Sequence, residues 1–191
     1  PSLPVHTVKD LIALAKAHPD AISYGSAGVG ALQHLSSSLL ASMAGIKLVH
    51  VPYKGGGPAA VALASGEIQM LLTPASEVFT YIQSHRVRAI GVSSTTRISQ
   101  LPDVPPIGET VPGYEFSSWM GTFAPAGTPK AIVDKLNLEL KKAVSDPEVA
   151  QNLSTQTLDP MYMTPEEFAK EMKVQYDKYA RVVKLSGARL D

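Results

Sequence analysis

The sequence contains no cysteine, which excludes disulfide bonds, thiolate zinc sites and cysteine nucleophiles. Charge is sparse too, because only 18% of the 191 residues are charged and 17 basic residues balance 17 acidic ones. A formal net charge of +0 gives the chain no electrostatic attraction for nucleic acid or for an anionic membrane surface. We therefore expect a small or neutralised partner, and no nucleic acid.

Long hydrophobic runs are also missing. No apolar stretch approaches the roughly 18 residues that a membrane-spanning helix needs. The opening residues Pro1-Ser2-Leu3-Pro4 have no signal-peptide pattern, and the chain does not begin with methionine. We expect a chain that is mature, trimmed or cut from something longer, and export from the cytoplasm stays open.

Hydrophobic residues make up 45% of the sequence, which is enough to build the core of one domain or of two small ones. Apolar periodicity and turn residues predict an alternation of elements over the first half of the chain. Strands are predicted at residues 22–26, 48–51, 69–73 and 87–92, and helices begin near residues 7, 30, 58 and 75. This alternation predicts a mostly parallel sheet with ligand sites beyond the carboxyl ends of its strands.

A glycine-rich turn follows the first predicted strand and opens a helix. Glycines let a ligand approach the backbone, and the free N–H groups of a helix N-terminus attract an anion such as a carboxylate. A nucleotide is disfavoured, because Gln33 stands where a dinucleotide motif needs glycine and Ala31 stands where a phosphate loop needs lysine. A purely structural turn is the alternative interpretation.

Two more loops are predicted to converge on this turn, at residues 53–57 and 73–76. Tyr53 would offer a hydroxyl donor and Lys54 a positive charge, although a solvated loop is the alternative. His34 is expected to brace the glycine turn from one helical turn away, and contact with the ligand is the alternative. The five histidines show no metal-ligand spacing, and Ser36-Ser37-Ser38 lacks the surroundings of a hydrolase nucleophile.

The second half begins with a proline-rich connector after Ser93. We expect a strand over residues 119–124, then a helix that Thr128 caps and Pro129 begins, and a short helix over residues 147–153. A final helix opens with a capping box at Thr164-Pro165-Glu166-Glu167. Its apolar stripe is expected to lie in the core: Phe168, Met172, Tyr176, Tyr179 and Val183. The helix after Pro129 carries an apolar stripe too: Ile132, Val133, Leu136, Leu140 and Val144.

Four motifs in this order carry a resemblance that spans almost the whole chain: Tyr24-Gly25-Ser26-Ala27-Gly28-Val29-Gly30 with His34, Val49-His50-Val51-Pro52-Tyr53-Lys54-Gly55-Gly56, Leu101-Pro102-Asp103-Val104-Pro105 with Glu109, and Ala124-Pro125-Ala126-Gly127-Thr128-Pro129. They closely resemble the substrate-binding receptors of tripartite tricarboxylate transporters, often called the Bug family. The resemblance implies an α/β fold of the type II periplasmic-binding-protein kind, with two lobes around a cleft. It also implies a periplasmic receptor that delivers small carboxylates to a membrane permease without catalysis or cofactor.

In that family the turn matching residues 26–31 presents backbone amides to a ligand carboxylate. Together with the convergent loops, this predicts a ligand site of eleven residues and no metal: Ser26, Ala27, Gly28, Val29, Gly30, Ala31, Tyr53, Lys54, Gly55, Thr73 and Ser76. The chain departs from the family at Thr73-Pro74, where many relatives carry Asp-Asn.

Relatives usually have about a hundred further residues upstream, so the first lobe would lack its N-terminal part. Residues 3–114 would then form a complete ligand-binding lobe, with a parallel-rich sheet, and residues 115–191 the C-terminal helical part of the other lobe. The apolar helix faces of that part would need a cover, and self-association or an unseen half is favoured over packing back on the first part. Two rival interpretations stay open: a cytoplasmic small-molecule enzyme or sensor domain on the same α/β fold, and a fragment without a ligand.

Overall fold

The computed structural model describes residues 3–156 and 158–188. It divides into two compact units. The first contains the residues up to Ser118 together with those from Arg181 onward, and the second is Trp119–Ala180. The assignment of residues 3–114 and 115–191 to the two lobes of a receptor stays a prediction.

In the first unit, helices and short strands alternate as the sequence predicts. Their order is α1 (Val8–Ala17), β1 (Ser23–Ser26), α2 (Leu32–Ala44), β2 (Val49–Pro52), α3 (Gly56–Ser65), α4 (Ala75–Gln83) and a 3-10 helix (Ile107–Glu109). Local signals fix several ends. Thr7 and Asp10 form a reciprocal capping box at the start of α1, and Gly45 ends α2 in the left-handed conformation with φ 62°. Pro58 lies inside the first turn of α3 rather than at its first position.

Strands β1 and β2 pair in parallel, with Ser23 opposite Val49 and Ser26 opposite Pro52. On its other side β1 meets Met70, whose carbonyl accepts the Gly25 N–H at 3.1 Å. The α/β class with a parallel-rich sheet is therefore confirmed. Packing around β1 is tight, because a Cβ built on Gly25 would overlap the side chain of Ile68.

Two of the predicted strands shrink to single bridges. Residues 69–73 contribute only the bridge between Tyr24 and Met70, and residues 87–92 only the bridge between Val92 and Pro106. Around the latter, Val92 N–H donates to Pro105 O and Ile107 N–H donates to Val92 O. Two consecutive prolines offer no N–H with which to extend a ladder, so the expected strand over residues 87–92 was wrong.

The second unit consists of α5 (Lys130–Ser145), α6 (Pro147–Thr155) and α7 (Pro165–Ser186), of which α7 belongs to the first unit from Arg181 onward. The capping box at the start of α7 is confirmed by the reciprocal bonds between Thr164 and Glu167. Residues 119–124 form no strand. Thr128 does not cap α5, because its hydroxyl donates to Pro125 O at 2.8 Å and Pro129 is the residue at the N-cap.

Apolar burial along α5 and α7 is low. None of the described residues of α5 is buried, and Leu136 is 51% exposed. On α7, Tyr176 is 74% exposed and Val183 39%, whereas the neighbouring Val182 is buried. The expectation that the stripe of α7 lies in the core was wrong for Tyr176 and Val183. On α5, Leu136 and Leu140 lie exposed, so the need for a cover stays a prediction. Phe168 does contact other rings: it meets Trp119 edge-on with ring centroids 5.6 Å apart.

Candidate functional site

Three loops meet at the carboxyl ends of the parallel strands, as predicted. The first joins β1 to α2, the second joins β2 to α3, and the third leads from Met70 into α4. Tyr53 N–H donates to Ser26 O at 2.9 Å, which joins the first two loops. Gln33 Nε2 donates to Thr73 Oγ1 at 3.3 Å, which joins the start of α2 to the third loop.

The glycine turn depends on two backbone conformations that favour glycine. Gly28 has φ 132° and Gly30 has φ 79°. Inside the turn, the fully buried Ser26 hydroxyl accepts the Gly28 N–H at 3.1 Å and donates to the Gly28 carbonyl at 3.0 Å. Ala31 is the N-cap of α2 and has no side chain able to cap the helix. The N-terminus of α2 is therefore left to other acceptors.

Some backbone N–H groups of the glycine turn have an acceptor in the protein and others do not. Gly28 N–H and Ala31 N–H are bonded within the turn, and Gly30 N–H donates to His34 Nδ1 at 3.1 Å. This last bond confirms that His34 braces the turn. The N–H groups of Ala27 and Val29 have no acceptor within residues 3–156 and 158–188. Two donors of the turn thus remain for a ligand.

Three aromatic rings stack beside this turn. The His34 and His50 centroids lie 4.2 Å apart, and Tyr24 lies 5.0 Å from His50. Burial lowers the pKa of His34, and burial together with the nearby His34 lowers the pKa of His50 to about 4. Both imidazoles are therefore neutral at pH 7.

Ser26 Oγ lies 2.6 Å from His50 Nε2, a distance that a nucleophile and its general base would also show. However, Ser26 is fully buried, and its hydroxyl also bonds to the carbonyl and the amide of Gly28. A buried hydroxyl with these partners holds the turn together rather than facing a substrate. The perturbed histidine pKa values are accounted for by this packing.

The second loop contributes the backbone at Gly55 and the charged side chain of Lys54. Gly55 is the N-cap of α3 with φ 120°, and Lys54 is exposed, with no carboxylate partner among the residues that the structure describes. Tyr53 directs its hydroxyl at Glu67 Oε1, 2.7 Å away. Burial, this hydrogen bond and the Glu67 charge raise the pKa of Tyr53 to about 12. The Tyr53 phenol is thus engaged with Glu67, and its backbone is the part that lies beside the glycine turn.

Two residues that the sequence analysis did not place in the site, Glu77 of α4 and Gln33 of α2, meet at the third loop. Glu77 accepts a hydrogen bond from the Thr73 hydroxyl and another, at 3.4 Å, from Gln33 Nε2. Gln33 is itself buried. The neighbouring Ser76 is exposed. The one available sequence signal was that Glu77 is an acidic residue in the first turn of a predicted helix that opens at this edge of the sheet.

Other kinds of site find little support in the described part of the chain. No group of three or more histidine, aspartate or glutamate side chains could hold a metal ion there. A cavity of about 340 Å³, lined in part by Tyr24, Ser38 and Lys47, lies at the amino ends of the strands rather than at the three loops. Among the described helices, none combines the length and the apolar character needed to cross a membrane.

Comparison with known proteins identifies the family. The sequence model of the tripartite tricarboxylate transporter family receptor, TctC, matches residues 1–188. A UPF0065 protein from the tcbD-tcbE intergenic region of Pseudomonas sp. (strain P51) is 37% identical over 178 residues, which cover 92% of this chain and 53% of that protein. Protein BugT of Bordetella pertussis is 29% identical over 191 residues, which cover 59% of BugT. The chain thus spans about half the length of the curated relatives that it matches.

Solved structures agree with this match. Rpa4515 of R. palustris with adipate superimposes with a TM-score of 0.90 at 30% identity, over 98% of this chain and 63% of that one. Periplasmic binding protein BugD gives a TM-score of 0.83 at 30% identity, over 98% of this chain and 64% of BugD. MatC (Rpa3494) from Rhodopseudomonas palustris with bound malate gives a TM-score of 0.82 at 27% identity, over 94% of this chain and 63% of MatC. The fold is therefore that of the periplasmic binding proteins, and the chain belongs to the TctC family of tripartite tricarboxylate transporter receptors.

Proposed function

We propose that the protein is an extracytoplasmic solute-binding receptor that captures a small organic carboxylate for a tripartite tricarboxylate-type transporter. The observation that carries the proposal is the glycine turn, where Ala27 and Val29 keep unpaired N–H groups among the described residues and the N-terminus of α2 has no side-chain cap. Paired amide donors beside a positive helix end suit a carboxylate. Adipate in Rpa4515 and malate in MatC, two ligands of structurally similar proteins, are both carboxylates.

The convergent loops supply the rest of the proposed site. One carboxylate would receive hydrogen bonds from the N–H groups of the turn formed by residues 26–31. Lys54 would add an unpaired positive charge, and the backbone at Gly55 would line the same edge. Thr73 and Ser76 would face the remainder of the ligand.

Binding without chemistry is part of this proposal. The family consists of substrate-binding receptors rather than enzymes. In this chain the serine and histidine closest to the turn are occupied in packing it, as described for Ser26 and His50. A catalytic role on the same α/β fold is therefore not favoured.

We also propose that the protein acts in the periplasm and passes its ligand to the membrane permease subunits of the transporter. Relatives are described as a periplasmic transporter and as a periplasmic binding protein, which supports the location. We further propose that residues 3–114 act as the ligand-binding lobe and that residues 115–191 contribute to the other lobe.

Calorimetry of the full-length gene product tests the proposal. A panel of organic acids should include at least one that binds, while sugars and nucleotides of similar size should not. Tight binding of a sugar or a nucleotide, together with indifference to every organic acid, would overturn the assignment.

A further inference from the structure

Glu77 places a carboxylate where the elements of all three loops meet. Its carboxyl group accepts from the hydroxyl of Thr73 on the third loop and from the amide of Gln33 in the first turn of α2. It also lies against Gly56, the first residue of α3, because a Cβ built there would overlap the Glu77 carboxylate. The start of α3 therefore already has an anion from the protein itself.

The sequence explains why this carboxylate is available. An acidic residue at the third position of a helix usually folds back onto the backbone N–H of the N-cap residue. The N-cap of α4 is Pro74, which has no N–H to offer. Glu77 instead reaches out of its own helix, to Thr73 and Gln33.

The charge of Glu77 is not cancelled by a neighbouring cation. It forms no ion pair within residues 3–156 and 158–188, and both side-chain donors that it meets are neutral. The histidines nearest to the glycine turn are neutral at pH 7. Helix N-termini stabilise the carboxylate in part, but they do not remove its charge. Lys54 of the second loop is exposed to water and forms no ion pair with Glu77 within the described residues. A second anion brought against the Glu77 carboxylate would therefore meet a like charge that no ion pair neutralises.

We propose that Glu77 determines which carboxylates the site accepts: the ligand has one carboxylate, bound at the glycine turn, and its other end donates hydrogen bonds to Glu77. This rests on the proposed carboxylate site. Amino acids and hydroxy acids with a terminal donor fit this pattern, and dicarboxylates of the same length are rejected by repulsion. Such discrimination combines an attractive element for one ligand with a repulsive element against its rival.

A matched ligand series tests the inference. The four-carbon acids succinate, 4-aminobutanoate, 4-hydroxybutanoate and butanoate share one carboxylate and differ only at the other end. Adipate, 6-aminohexanoate, 6-hydroxyhexanoate and hexanoate repeat the series at greater length. In calorimetry of the full-length protein, the amino acid or hydroxy acid should bind at least about tenfold more tightly than the dicarboxylate of the same length.

Glu77→Gln removes the charge but keeps the side chain's size and a hydrogen-bond acceptor. It should lower the preference for the donor-bearing acid over the dicarboxylate by about tenfold. Glu67→Gln is the matched control, because it removes a carboxylate that bonds to Tyr53 instead of facing the three loops. Thermal unfolding of both variants checks that they fold.

The possible results distinguish a wrong role for Glu77 from a wrong carboxylate site. If carboxylates bind and Glu77→Gln leaves the preference unchanged, or if Glu67→Gln changes it equally, the role of Glu77 is wrong while the carboxylate site stands. If neither series binds to any variant and other solutes do, the carboxylate site itself is wrong, and the role of Glu77 falls with it.

Discussion

The imidazole rings of His34 and His50 stack nearly parallel, with centroids 4.2 Å apart and planes inclined by 13°. Each ring also holds the glycine turn: His34 Nδ1 accepts the Gly30 N–H, and His50 Nε2 lies 2.6 Å from Ser26 Oγ. A proton on His34 Nδ1 would remove the acceptor of Gly30. A second charge on the stacked partner would add repulsion between the rings.

Stability should therefore fall in mild acid. The unfolded chain takes up protons on its histidines from about pH 6.5 downward, whereas burial and His34 hold the pKa of folded His50 at about 4. The stability that the fold gains from a neutral His50 is fully present above about pH 6.5 and is lost as the pH falls toward 4. Since His50 is partly accessible to water, we expect a loss of about 1 to 2 kcal/mol. Urea unfolding at pH 7.5 and pH 4.5 measures it.

His50→Gln should flatten this pH dependence, because glutamine keeps a polar partner for Ser26 but does not titrate. His18→Gln, a change at an exposed histidine outside the stack, is the control. Equal slopes for His50→Gln and the unmodified protein would contradict a role for the stack.

Gly28→Ala should weaken carboxylate binding about tenfold or more. The new Cβ would have only Tyr53 O nearby, at 3.9 Å, so it has room, although the φ of +132° strains any residue other than glycine. The methyl group would stand on the turn where a ligand would lie. Gly66→Ala is a matched control at the end of α3, since it has φ 86° and open space around it. Both changes should cost about 1 kcal/mol of stability. Calorimetry measures the affinity of both variants for the carboxylate. If both kept full affinity, the ligand site would not lie at Gly28.

Gly25→Ala should destabilise the first unit by about 2 to 3 kcal/mol, because the added Cβ overlaps Ile68 beside the central strand. Gly57→Ala, in the first turn of α3, has nothing within 4 Å and should instead stabilise by up to about 1 kcal/mol. Urea midpoints of the two variants should thus move in opposite directions. A midpoint unchanged by Gly25→Ala would mean that Ile68 can move aside.

The sequence predicted those features that local chemistry controls. The start of α1 just after residue 7, the capping box between Thr164 and Glu167, and the convergence of three loops were all predicted from residue type and spacing. The strand expected over residues 87–92 failed because its partner segment contains two prolines, a property of the neighbour rather than of the strand. Glu77 was missed for a similar reason. Its position depends on contacts with Gln33 and Gly56, which are distant in sequence, and on a missing N–H at Pro74.

The 191-residue chain on its own should bind carboxylates poorly. A receptor of this fold gains much of its binding energy by enclosing the ligand between two walls, and the three loops described here all belong to one unit. We expect affinity at least about tenfold weaker than that of the full-length gene product. Calorimetry of both proteins with the same ligand compares them directly. Tight binding by the 191-residue chain would refute the need for a second wall.

The 191-residue chain should also self-associate. Within the second unit, Leu136 is 51% exposed, Met120 84% and Tyr176 74%, and α5 has no buried residue among those described. Covering a large apolar side chain contributes about 1.5 to 3 kcal/mol, so several such side chains together rival the stability of a domain. Light scattering with an intact-mass measurement should reveal dimers or larger species of this chain. Leu136→Lys, which places a charge on the exposed face of α5, should shift the population toward monomer, whereas Lys135→Arg should not. A monomer at all concentrations would show that these side chains need no partner.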